Sequence, residues 1–270
     1  MNILIRIISW FIPSKKLRRR LRNKFHRING FNSISLLISR KLDSMALHPQ
    51  TFGDFRNRFI DREVVLVGAG HTLNNYNPLP NAIHIALNRA FLYNKIGFDF
   101  IFSCDLKSIE KFLPQFNQYE GTGNCIKFIG RTEFEECIIP QFLIDKMDSV
   151  RKYYSLSDGS ISNYIDYKIP VDIERNPLWA CSTVAHHAFQ FALWGNPKAI
   201  YLVGCDCTGH MKGHFVGDEK KIDNPTTNND DSVVDGWYKL KHFASVYYPN
   251  IKIVSINPIR LKGLFEDIYQ

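Results

Sequence analysis

Six short runs rich in β-branched and aromatic residues constrain this chain more than any other feature. They are Glu63–Gly68, Ala82–Leu87, Phe98–Ser103, Asn124–Ile129, Ala199–Gly204 and Ile251–Ile256. Each is apolar almost without alternation and too short to be a helix, the pattern of a strand buried on both faces. Helical patterns separate several of them. Ser182 to Trp194 reads as a helix with Ser182 or Thr183 as its N-cap and Gly195-Asn196-Pro197 as its stop, and Ser232 to Tyr248 as another, closed by Pro249-Asn250. Strands alternating with helices predict an α/β fold with a largely parallel, doubly wound sheet. Residues 131–176 read as irregular and aromatic-rich, and 208–231 as polar. Both are long for connections, so each is expected to be a lid or insert.

Charge divides the chain unevenly. Residues 1–42 contain no Asp or Glu and carry eleven Lys and Arg, while the rest holds 23 basic and 26 acidic residues, a net −3. A body of that sign argues against a nucleic-acid partner, which calls for a basic folded face. No apolar run reaches the roughly 18 to 20 residues needed to span a bilayer. The start, NILIRIISWFI followed by Pro13 and SKKLRRRLRNKFHR, has its charges after the apolar run and no small-residue cleavage site. It does not read as a signal peptide. It predicts an amphipathic basic helix over 1–42 resting on an anionic membrane surface, the alternative being a helix packed on the body. Residues 43–61 read as a connector, helical in part, and 62–270 as the folded domain. The six cysteines (Cys104, Cys125, Cys137, Cys181, Cys205 and Cys207) are irregularly spaced and read as reduced thiols of a cytoplasmic protein.

Candidate site residues cluster where the predicted strands end. Gly68-Ala69-Gly70-His71-Thr72 follows the first strand. Glycines there let a backbone approach a phosphate, and the next amides bind an anion. The third glycine and the acidic ribose ligand of a dinucleotide site are missing, as are the Lys and Ser/Thr of a P-loop. The plain alternative is a tight turn with no ligand. Asn88, Asp105 and Asp206 end three strands on one side of the sheet, placed for ribose or sugar hydroxyls or else as turn formers. Ser182 and Thr183 open a helix, where hydroxyls and free amides suit phosphate, or simply cap. Beyond Asp206 come Cys207, Thr208, His210 and His214. The spacing admits zinc, but Cys205 belongs to a strand end, and no metal site is expected. His210 or His214 fits a general base titrating near neutrality, with Asp206 beside them as a third catalytic residue, the alternative being solvated loop histidines. Of the adjacent His186 and His187, one is expected to pack on the sheet. Trp179, Trp194 and Trp237 are read as core.

These segments resemble a known family. The strand-GxGxxL turn, Ile-Ala-Leu-Asn-Arg-Ala-Phe and Phe-Asp-Phe-Ile-Phe-Ser-Cys-Asp are similar to the first half of the bacterial sialyltransferases of glycosyltransferase family 42. They also resemble the related DUF115 proteins, which include glycosyltransferases and a pterin diphosphokinase. Cys181-Ser182-Thr183 through Leu193, then Ala199 through Asp206, resembles the second signature. The resemblance covers roughly 62–130 and 178–265. It implies a Rossmann-like fold and metal-independent transfer, with inversion, of an acidic sugar from a CMP-activated donor, using a loop histidine as base. Gly68, Gly70, Asn88 and Ser182 match nucleotide-sugar contacts. Ala69 and Asp105 stand where the family has Asn, Trp179 where it has Arg, and Thr208 where it has Tyr. The family's histidine comes nearer the last helix, so His210 or His214 substitutes here. The implied partners are the nucleotide sugar, a surface oligosaccharide or lipid-linked glycan and the inner face of the bacterial inner membrane, with a homo-oligomer left open. No cofactor is implied. The alternatives are a diphosphokinase-like reading, which would use Mg²⁺ on Asp105 and Asp206, and a non-catalytic nucleotide-binding protein.

Overall fold

The computed structural model describes residues 30–104, 112–131, 149–157, 168–208 and 227–270, with Ser14 and Leu17. Asp105, Cys137, His210 and His214 lie outside the described residues, as do the rest of the N-terminal segment and most of the 208–231 insert.

All six predicted strands are present: β1 Glu63–Val67, β2 Ile83–Leu87, β3 Phe100–Ser103, β4 Ile126–Arg131, β7 Ala199–Val203 and β8 Lys252–Ile256. Three more complete the sheet: β5 Val150–Ser157, β6 Leu178–Ala180 and β9 Glu266–Ile268. The order is β6-β5-β4-β3-β2-β1-β7-β8-β9, and every pairing is parallel. The fold is therefore the α/β Rossmann-like class. Residues 131–176 are not wholly an insert, because β5 lies inside them and pairs with β4. The chain winds outward from β1 to β6, then crosses back to lay β7 on the other side of β1. That reversal falls between β1 and β7, and in open α/β sheets ligands bind beyond the carboxyl ends of the strands at such a point.

Alternate residues of each strand feed two cores. Val64, Leu66, Ile85, Phe102, Phe128 and Leu202 face one layer, with α1 Gly30–Phe52, α3 Ala185–Trp194 and α4 Thr227–Tyr247. Val65, Val67, Ala86, Ile101 and Val203 face the other. There the cover is two 3-10 turns, His71–Asn75 and Asn88–Leu92, and the short α2 Leu113–Gln118. Helix α1 spans residue 42, and its second half packs on β5: Thr51 Oγ1 donates to Lys152 O at 2.8 Å and Arg151 Nη1 to Thr51 O at 3.0 Å. One helix start differs from expectation. Helix α3 begins at Ala185 rather than at Ser182 or Thr183, because Ser182 turns the chain at φ +59°.

Phe191 on α3 is fully buried. Its ring centroid lies 5.0 to 5.9 Å from those of Phe128, Phe102, Phe55, Phe100, Phe59 and Phe52. Phe191→Ala empties the middle of this group and is expected to destabilise the fold by about 3–5 kcal/mol. Urea unfolding checks this, and a loss under about 1 kcal/mol contradicts the packing described.

Candidate functional site

The β1 and β7 ends are joined by close backbone contact. Gly68 N donates to Val203 O and Gly70 N to Gly204 O, each at 2.8 Å. A Cβ on Gly68 would collide with the Gly204 carbonyl, and one on Gly70 with the Asp206 carboxylate. The glycines at 68 and 70 are thus required by the neighbouring strand. Their amides are spent on the Val203 and Gly204 carbonyls, so neither is a donor for a phosphate.

Asp206 is 4% exposed. Its carboxylate accepts the Thr72 amide at 3.1 Å and a short hydrogen bond from the Thr72 hydroxyl. His71 Nδ1 lies 3.1 Å from the same Oδ2. That contact is close enough for an ion pair when the imidazole is protonated, without the alignment of a hydrogen bond. The side chain of His71 is 35% exposed and that of Asp206 3%, so the imidazole stands between a buried carboxylate and solvent. Asp206 acts inward, on Thr72 and His71. Its contacts are those of the turn-forming alternative, and both carboxylate oxygens are engaged within the chain.

Asn88 ends β2 at φ +49° and its Oδ1 accepts Ser103 Oγ at 3.0 Å. Thr208 is buried at the end of the β7 extension, and Ala69 is half-buried beside the glycines. At the far end, Ser182 is exposed and Thr183 half-buried. Thr183 Oγ1 accepts the Ala185 amide at 3.2 Å. The amides of Thr183, Val184 and His186 have no acceptor among the described residues, leaving an electropositive helix start. Several residues adopt positive φ, and most are Asn or Asp, which tolerate it. The exceptions outside glycine are Ser182 and Cys207, both at the carboxyl edge. Backbone strain of this kind collects at functional sites.

Helix α4 links these two ends. A Cβ on Gly236 would meet His186 and Cys181, so the helix lies tight against the α3 start. About 7.5 Å earlier along α4, Asp231 Oδ1 accepts Arg260 Nη2 at 2.6 Å, and Arg260 Nη1 reaches Cys207 O at 3.4 Å. Arg260 thus ties the chain before the 209–226 segment to the helix after it. Sequence reasoning missed it, since a lone Arg after Pro258-Ile259 carries no motif.

Both adjacent histidines are core residues. His186 Nδ1 accepts the Cys181 amide at 3.1 Å, and His187 Nδ1 pairs with the Tyr153 hydroxyl at 3.0 Å. Burial lowers both to about 3. His48 on α1 donates Nδ1–H to Ile173 O and accepts the Tyr154 amide on Nε2, each at 2.8 Å. Burial lowers it to about 4. Trp179, Trp194 and Trp237 are buried as expected. The five described cysteines are free thiols. Among the described residues no three His, Cys, Asp or Glu side chains gather as metal ligands.

No protein-family model matches this chain, and no curated protein does. Among solved structures it is similar to the monofunctional α-2,3-sialyltransferase Cst-I from Campylobacter jejuni, at 20% identity and a TM-score of 0.39. That match covers 72% of this chain and 75% of the other.

His48, His186 and His187 are held neutral in the fold, whereas the unfolded chain protonates them below about pH 6.5. Protons then bind the unfolded state preferentially. Stability falls as pH drops below about 6.5, by up to about 1.4 kcal/mol per unit for each histidine, until the folded values are reached. Urea midpoints measured at about pH 7.5 and about pH 5 are expected to fall markedly, and His187→Gln to reduce the slope. Equal midpoints contradict the buried neutral assignment.

Proposed function

We propose that this chain is a glycosyltransferase that moves a sialic-acid-like sugar from a CMP-activated donor to a surface glycan, without a metal ion. The observation that carries the reading is the half-exposed His71 backed by buried Asp206 at the point where the strand order reverses. A helix start with unspent amides stands at the other end of the α4 bridge.

In the proposed reaction an acceptor hydroxyl attacks the anomeric carbon. The bond from that carbon to the donor's phosphate oxygen breaks, and the electron pair leaves with the nucleotide. The hydroxyl proton passes to an imidazole. Near neutral pH an imidazole is a suitable acceptor, and a carboxylate behind it stabilises the imidazolium that forms. His71 occupies that position among the described residues, and His210 and His214 in the adjacent segment are the other candidates. Ser182, Thr183 and the open amides beside them supply donors for the leaving phosphate. Asn88 offers its amide to a sugar or ribose hydroxyl. Arg260 ties Cys207 to Asp231 on α4, and Thr208 is buried beside that tie.

Thermal shift with CMP, UDP, GDP and ATP, each with and without Mg²⁺, tests the nucleotide. CMP alone is expected to raise the melting temperature, since a ligand selective for the folded state stabilises it. Stabilisation by ATP only with Mg²⁺ contradicts the reading and favours phosphotransfer. His71→Asn is expected to lower kcat by about 10²- to 10⁴-fold while leaving the CMP shift in place. A loss found instead in His210→Asn or His214→Asn moves the base to the loop.

A further inference from the structure

Helix α1 presents a second face that is exposed among the described residues. Ser44, His48, Thr51 and Phe52 form its buried row. Ile38, Leu42 and Met45 are 54%, 60% and 48% exposed, and Pro49 continues the same line. Their spacing of four, three and four places them on one side of the helix, about a third of a turn from the buried row. The line is about 16 Å long. Aliphatic side chains scattered singly on a surface are ordinary, but a row at helical spacing marks a contact face.

Charge identifies the occupant. The sequence up to residue 42 carries eleven basic residues and no acidic one, and two of them, Arg40 and Lys41, lie within this stretch of α1. Two copies meeting here would bring two such stretches together, and like charges at close range oppose that contact. An anionic bilayer surface neutralises them and accepts the aliphatic row at the headgroup boundary. No helix among the described residues is long and apolar enough to cross a membrane, so the contact is interfacial.

We propose that Ile38, Leu42 and Met45 on α1 form a docking face for an anionic lipid bilayer, acting together with the basic sequence before them. Arg40 takes no part in lipid contact. Its guanidinium lies over the Tyr154 ring at 5.1 Å and pairs with Asp43 at 3.7 Å. Exposed Lys41 beside the row is the local cation.

Sedimentation of the full chain with phosphatidylcholine vesicles, and with vesicles containing about one third phosphatidylserine, tests this directly. The chain is expected to sediment with the anionic vesicles and not with the neutral ones. The triple variant Ile38→Ser, Leu42→Ser, Met45→Ser is expected to partition at least about tenfold less, with an unchanged melting temperature. A readout without substitutions uses vesicles bearing a photoreactive acyl chain, whose adducts are expected within residues 36–49. Unchanged partitioning of the triple variant overturns the proposal, as do adducts confined to other regions. So does a wild-type dimer that the variant dissolves without any vesicle binding. The assay contains no nucleotide, so its result stands apart from the glycosyltransferase reading.

Discussion

The carboxylate of Asp206 and the glycine contact beside it hold the two halves of the sheet in register at the point where the strand order reverses. Gly68 and Gly204 touch backbone to backbone, and Asp206 closes the 3-10 turn after β1 through Thr72. A buried carboxylate accepting an amide and a hydroxyl makes charge-assisted bonds of about 1.5–3 kcal/mol each. Losing them would also strand the Thr72 amide. This junction sets the height of His71, the exit of the chain toward Cys207 and Thr208, and the anchorage of Arg260 on the next loop.

The histidines separate by environment into two kinds of chemistry. His48, His186 and His187 are buried and kept neutral, and each ties a neighbouring segment by accepting or sharing a hydrogen bond. They stitch α1 to β5, α3 to the end of β6, and α3 to β5. His71 alone among these combines partial exposure with a carboxylate 3.1 Å away. Residue type does not distinguish the groups; solvent access and the adjacent charge do.

The central strands were legible in the sequence because burial on both faces leaves no room for polar residues. Runs such as Val64-Val65-Leu66-Val67 have no other reading. The strands that escaped lack that signal. β5 reads Val-Arg-Lys-Tyr-Tyr-Ser-Leu-Ser, with Lys152 exposed, while β6 and β9 have three residues each. Site residues were legible as types and not as partners. Asp206 was recognised at a strand end, but its use on Thr72 follows from β1 and β7 being neighbours, a contact spanning 134 positions. The glycines were read as making room for a phosphate, whereas the room is filled by the next strand. Open amides at the α3 start were foreseen at Ser182 and Thr183, though the helix begins later because Ser182 turns the chain.

The central proposal is that a nucleotide binds beyond the β1 and β7 ends, near His71, and at the α3 start. Amide hydrogen exchange of the full chain with and without saturating CMP measures it most directly. The account expects slowed exchange in two stretches far apart in sequence, about 69–73 and 182–187, with the rest of the sheet unchanged. Protection confined to any other surface, or none at a concentration that raises the melting temperature, would contradict it.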